Sequence, residues 1–368
     1  MIVESIDASV LRIPFKSAFR HASANRTATQ TVWVVARARD GVVGYGEGCP
    51  REYVSGESLA TAQAFVASHQ QEWRFSIHDL ASLSRWVEGH QVDIDRHPSA
   101  WAAVELAFLD LIGQSEGLTL ESLLGLPEIA GIFRYTAVLG DAPLRTFEAQ
   151  LAAYQNAGFS DFKIKLAGDP VGDRAKVRAL LAAGIAPGSV RADANNLWPN
   201  VDAAVRHLEA LDFPFWAVEE PLKAGDYPGM RRVSATLGTI IVLDESLLRV
   251  EQLDEVSGDI SGWIANVRLS KMGGLIRSLQ FARKARHRGL AMIVGAHVGE
   301  TSVLMRVALA LVSAFRDGIV AHEGAFGTHL LDRDMVEPSL MFGREGIFDP
   351  SALGIGRAPG LGLNVVVP

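Results

Sequence analysis

The sequence has 368 residues, of which 48% are apolar and 21% charged, with a formal net charge of −7 and a pI of about 5.8. That is the balance of a globular protein with enough chain for two domains, or for one barrel with an added cap. A mildly acidic chain is a poor match for nucleic acid or an anionic membrane surface. The apolar run at 307–315 is flanked by Arg306 and Arg316 and is too short to cross a bilayer. The single cysteine, Cys49, excludes an internal disulfide. With no basic stretch among the first fifteen residues, these features predict a cytoplasmic protein.

In chain order, residues 1–125 read as an α+β domain. Residues 2–13, 31–39 and 42–47 alternate as strands, and Asp40-Gly41 supplies the turn between the last two. Helical patterns follow at 58–68, 78–88 and 100–115. The stretches 15–26 and 50–55 read as loops that close over a binding site. They carry Phe19, Arg20, Arg51 and Tyr53 as candidate substrate contacts, and the two arginines suggest a second anionic group on the substrate.

From residue 133 the rhythm changes to short apolar runs separated by helical segments, roughly one βα unit apart. The strands are expected at 133–139, 161–166, 190–193, 215–219, 240–244, 263–269, 291–295 and 319–322, with helices such as 174–183, 201–211 and 275–288 between them. Eight such units predict an α/β fold closed into a parallel barrel over 126–342. An open doubly wound sheet would need a glycine-rich phosphate turn after its first strand, and Leu139-Gly140-Asp141-Ala142 does not provide one. The tail, 343–368, is rich in glycine and proline and is expected to pack back on the first domain.

In such barrels the chemistry sits where strands end. Asp193, Glu219 and Asp244 end three successive strands, about one βα unit apart. Three hard carboxylates at one height repel unless a cation joins them, and Mg²⁺, with Mn²⁺ as a substitute, suits oxygen donors. Lys163 and Lys165 alternate on one strand face, with Phe162, Ile164 and Leu166 on the other. A buried lysine beside another cation is expected to have a lowered pKa, which makes a neutral amine and hence a general base available.

The run Lys163-Ile164-Lys165, Asp193-Ala194-Asn195, Glu219-Glu220-Pro221, Asp244-Glu245-Ser246 and Lys271-Met272-Gly273-Gly274 resembles the enolase superfamily, and within it the muconate-lactonizing subgroup. The likeness covers nearly the whole chain. It implies a (β/α)7β modified TIM barrel with an N-terminal α+β cap, a small carboxylate substrate and a homo-oligomer. It implies Mg²⁺ held by Asp193, Glu219 and Asp244, with Lys165 taking the α-proton to give a metal-stabilised enediolate and Lys163 tuning it. Asn195, His297, Glu300 and His322 fall at substrate-contacting positions of the rim, with Glu245 and Lys271 behind the metal ligands.

The sequence departs from the subgroup at strand six, where a second lysine usually stands and this chain has Arg268. Arginine stays protonated, so it can steady an anion but cannot act as a base. That favours a one-base reaction, syn cycloisomerisation or β-elimination, over a racemase or epimerase with a base on each face. The alternative needs a non-lysine second acid/base, for which His297 has a suitable intrinsic pKa. The Asp-x-Asp pair typical of dipeptide epimerases after strand eight is missing from Ala321-His322-Glu323-Gly324-Ala325.

Overall fold

The Asp40-Gly41 turn joins β4 (Thr31–Ala38) to β5 (Val43–Gly48), with Gly41 at φ 93°, a conformation that favours glycine. β1 (Val3–Leu11) pairs antiparallel with β4, giving the sheet order β1-β4-β5. The computed structural model describes every residue except 22, 23, 257, 259, 367 and 368.

The stretch read as a loop at 15–26 is mostly a hairpin, β2 (Pro14–His21) against β3 (Ala24–Ala28), with its tip at 22–23 outside the described residues. Its polar composition hid a strand pair whose stability comes from cross-strand hydrogen bonds rather than from an alternating core face. Residues 50–55, also read as a loop, contain the short helix α1 (Glu52–Ser55).

The next helices are α2 (Leu59–Ser76), α3 (Leu80–Gly89), α4 (Gln91–Arg96), α5 (Pro98–Glu116) and α6 (Leu120–Leu124). Ser58 with Thr61, and Asp79 with Ser82, form capping boxes that start α2 and α3. α5 lies directly on β5. Gly44, Gly46 and Gly48 occupy alternate positions of that strand, and a Cβ at any of them would fall within 2.2 Å of a backbone oxygen of the helix. Only glycine permits so close an approach.

The barrel strands are β7 (Ala137–Leu139), β8 (Phe162–Lys165), β9 (Val190–Asp193), β10 (Ala217–Glu219), β11 (Ile240–Leu243), β12 (Trp263–Val267), β13 (Ala291–Val294) and β14 (Ile319–His322). They form one parallel sheet in sequence order. At the seam, Thr136 N–H donates to His322 O at 2.8 Å. The fold is a (β/α)7β barrel with an N-terminal capping region. Helices α7 (Leu144–Asn156), α8 (Pro170–Ala182), α9 (Val201–Ala210), α10 (Tyr227–Leu237), α11 (Leu275–His287) and α12 (Ser302–Ala314) lie between strands.

The segment read as one strand at 133–139 is two. β6 (Phe133–Arg134) pairs antiparallel with β15 (Ile347–Phe348), and the chain changes partner at Tyr135 and Thr136 before β7 begins. Two layers divide the apolar residues. Ala217, Val242, Ile264 and Ile293 pack inside the barrel, whereas Ile241, Leu243 and Ala265 join the larger core beneath the helices.

Two sets of buried contacts tie the regions together. Arg306 on α12 makes paired hydrogen bonds to Glu121 at 2.8 and 2.9 Å and donates to Leu361 O, while Leu361 N–H donates to Asp110. Three buried glutamates accept hydrogen bonds at helix N-termini: Glu47 from Thr301 and Leu304 at α12, Glu57 from Ser99 and Ala100 at α5, and Glu105 from Ile276 at α11. Among the described residues no helix is long and apolar enough to cross a membrane.

Candidate active site

Alternation along β8 turns Lys163 and Lys165 into the barrel mouth, only 2% and 6% exposed, while Phe162 and Ile164 join the outer core. Register aligns Lys165 with Asp193 and Asp193 with Glu219 on successive strands. Asp244 follows the end of β11, two residues beyond Val242, which faces Glu219.

Lys165 Nζ lies 2.5 Å from Asp193 Oδ2 and donates to Asn195 Oδ1 at 3.0 Å. Lys163 Nζ contacts Glu323 at 2.7 Å, Glu219 at 3.1 Å and Asp193 at 3.3 Å. Arg268 Nη2 contacts Asp244 Oδ2 at 2.5 Å and Glu219 Oε1 at 3.3 Å. Lys271 Nζ donates to the carbonyl and carboxylate of Asp244, and Asn266 donates to Glu219 at 3.0 Å. Glu220 does not share the site of Glu219. Its carboxylate accepts from Asp244 N, Ser246 N and Ser246 Oγ, holding the end of β11. Asn195 Nδ2 donates to Glu245 at 3.4 Å.

The charge balance at Lys163, the neighbour of the expected base, is set by carboxylates. Burial lowers the pKa of Lys163, but Glu219, Glu323 and Asp193 together outweigh it and hold the ammonium above its ordinary value. The sequence reading weighed the neighbouring cation and could not count the carboxylates that fold around it. Asp193 is raised, by burial and by repulsion from Glu219. Glu219 is lowered, because Lys163 and Arg268 overcome its burial. Arg268 is raised further by Asp244 and Glu219 despite being buried.

Among the described residues no three His, Cys, Asp or Glu side chains are gathered as a finished metal cage. Lys163 stands between Asp193 and Glu219, and Arg268 between Glu219 and Asp244. The donors themselves suit a hard divalent ion: carboxylate oxygens from three adjacent strands, brought to one height by the strand register.

A cavity of about 270 Å³ opens above these groups. Of the residues singled out from sequence, Phe19, Tyr53, Asn195 and His297 line it together with both lysines and Arg268. His297 is buried, with both ring nitrogens lacking a hydrogen bond, and burial together with the charge of Arg268 holds its pKa well below the ordinary value.

Four others lie outside the cavity lining. Arg51 is 1% exposed and spends its guanidinium on the carbonyls of Gln30, Pro50 and Val298, so it braces the cap instead of reading an anion. Arg20 is exposed, and its backbone oxygen accepts from Asp141 N. Glu300 accepts from His297 N at 2.6 Å in an adjoining small cavity. His322 packs on Tyr135 with ring centres 4.2 Å apart. Glu323, which the sequence places at the end of strand eight without a role, lines the cavity and pairs with Lys163. Gln150 and Tyr154 on α7 and Phe326 beyond β14 also line it and carry no local signal in the sequence.

A family model described as enolase C-terminal domain-like matches residues 146–366. The chain belongs to the enolase superfamily. A hydrophobic dipeptide epimerase of Enterococcus faecalis is 26% identical over 375 residues, covering 99% of this chain and 100% of that protein. Muconate cycloisomerase 1 of Rhodococcus opacus is 26% identical over 372 residues, covering 96% and 95%. The crystal structure of the dipeptide epimerase from E. faecalis, complexed with Mg and the dipeptide L-Leu-L-Tyr, superposes with a TM-score of 0.81 at 25% identity, over 99% and 100% of the two chains. This enolase-superfamily chain, of the mandelate racemase/muconate lactonizing type, is an isomerase-type enzyme.

Proposed function

We propose that this enzyme removes the α-proton of a small carboxylate substrate by one-base chemistry, with Lys165 as the base and cycloisomerisation as the leading outcome. Residues 1–125 act as the cap, 126–342 as the catalytic barrel and 343–368 as the tail that braces them. The observation that carries the reading is Arg268: buried, paired with Asp244 and Glu219, and held protonated. A group in that state cannot deliver or accept a proton on the opposite face.

Asp193, Glu219 and Asp244 would hold Mg²⁺, for which Mn²⁺ could substitute, and the ion would supply Lewis-acid polarisation of the substrate carboxylate. The chain's own residues do the rest. Lys165, positioned by Asn195 and Asp193, takes the proton from one face of the α-carbon; the electron pair left there expels a β-oxygen and opens the ring, and in the reverse direction ring closure comes first and Lys165 delivers the proton to that same face. Lys163 and Arg268 stay positive and offset the negative charge that develops when the proton leaves. Phe19 and Tyr53 close the mouth and limit water.

The test is deuterium incorporation from solvent at the α-carbon, followed with chirality. Exchange with retained configuration supports the reading, and inversion by the unaltered enzyme would overturn it.

A second reading, an epimerase, is favoured by His297, which lines the same cavity with its Nδ1 3.5 Å from Glu300 and could serve as the acid/base opposite Lys165. His297→Asn would then stop inversion while exchange through Lys165 persists.

A further inference from the structure

The cavity has one charged end and one end without charge. Among the described residues, the Asp, Glu, Lys and Arg side chains that line it are Lys163, Lys165, Arg268 and Glu323. All four belong to the barrel mouth and all are engaged. Lys163 is tied to three carboxylates and Lys165 to Asp193. Arg268 is tied to Asp244 and Glu219, and Glu323 to Lys163 and Arg191.

The lining supplied by the cap, α7 and the segment after β14 has a different chemistry. Phe19, Tyr154, Phe326 and Leu330 supply its apolar surface. The polar residues there are Ser17, Tyr53 and Gln150, which carry no charge, and His329, whose Nε2 lies 2.8 Å from Phe342 O and whose ring stacks on Phe342. None of the three cap arginines nearest the cavity enters its lining: Arg51 is bound to backbone carbonyls, Arg26 to Gln30 and Tyr53, and Arg20 is exposed. A charge brought against such a wall loses its water and finds no counter-ion.

We infer that the substrate is a carboxylate whose remote end is apolar and uncharged. A free ammonium, as on an unblocked dipeptide, and a second carboxylate, as on a dicarboxylic acid, are both disfavoured. This rests on the reading above for the position of the reacting carboxylate, between Lys165 and Arg268. It adds which molecules the rest of the cavity admits.

The test uses the whole protein with Mg²⁺ present and three ligands that share one carboxylate end: N-acetyl-L-leucine, glycyl-L-leucine and N-succinyl-L-leucine. Binding is measured by calorimetry, and α-proton exchange in deuterated solvent is measured separately. The neutral N-acetyl compound should bind at least ~10-fold more tightly than either charged analogue, a conservative figure for an unpaired charge. Equal or tighter binding of a charged analogue overturns the inference, as does no measurable binding by any of the three. The two readouts separate the claims. Selective binding of the neutral ligand without exchange keeps the substrate class and sinks Lys165 as base. Faster exchange of a charged ligand keeps the base and sinks the class. Leu330→Arg supplies a positive control, because it should shift preference toward the N-succinyl compound.

Discussion

Arg268 Nη2 lies 2.5 Å from Asp244 Oδ2, in a mouth where both side chains are buried. A guanidinium therefore occupies the strand position from which a neutral amine would have to work as the second base. Replacing it tests how the reaction is confined to one face. Arg268→Lys keeps the charge pair but introduces a group that can titrate. We expect α-proton exchange to fall by about 10-fold, because one charge-assisted contact is lost. We also expect inverted product to appear where the unaltered enzyme gives none. Chiral chromatography of the product reads both.

Lys165 and the carboxylates make separable contributions. Lys165→Ala should lower α-proton exchange by roughly 10²–10⁴-fold, the range for a lost general base, while calorimetry still shows Mg²⁺ binding. Asp193→Asn and Glu219→Gln should weaken the metal itself. For the unaltered protein, Mg²⁺ at ~100 times its Kd should add about 2.7 kcal/mol of stability. Thermal unfolding with and without a chelator measures that gain, and a melting curve insensitive to Mg²⁺ would remove the metal from the account.

Stability should depend on pH with a definite sign. Burial raises Glu47, Glu57 and Glu105 from 4.5 to about 7 each. Between those values the folded state binds more protons than the unfolded chain, so stability falls as pH rises through the window. Each group accounts for up to about 3 kcal/mol of that loss. Denaturant unfolding at pH 5 and pH 8 should show the decline, and Glu47→Gln should reduce it, because the amide cannot ionise.

The contact between β5 and α5 leaves no room for a methyl group. A Cβ at Gly46 would lie 1.9 Å from Ala103 O. Gly46→Ala should therefore cost about 3 kcal/mol or more, through displaced backbone rather than lost side-chain contact. A shift in the urea midpoint measures it, and an unchanged midpoint would show that the helix and strand separate easily.

Much of the architecture is legible in the chain because it is encoded locally. The βα spacing, the Asp40-Gly41 turn and the alternation of Lys163 and Lys165 are properties of neighbouring residues, and each appears in the fold at or near its expected place. Strand ends are less legible. Residues 133–139 look continuous, yet the hydrogen-bond partner changes at Tyr135 and splits them. The hairpin β2–β3 was hidden because its polar residues alternate too weakly to announce a strand.

Period and spacing survive without tertiary contacts, so the barrel, the cap and the set of acids and lysines at the strand ends are written along the chain. Which charges meet was left to the folded structure. It put three carboxylates around Lys163, and they hold its ammonium above the ordinary value. It gave Arg51 to backbone carbonyls and brought Tyr154 and Phe326 to the cavity from distant segments. The difference is one of range. Alternation is set by bonded neighbours, whereas electrostatic balance and cavity shape depend on groups that only folding brings within a few ångströms of each other.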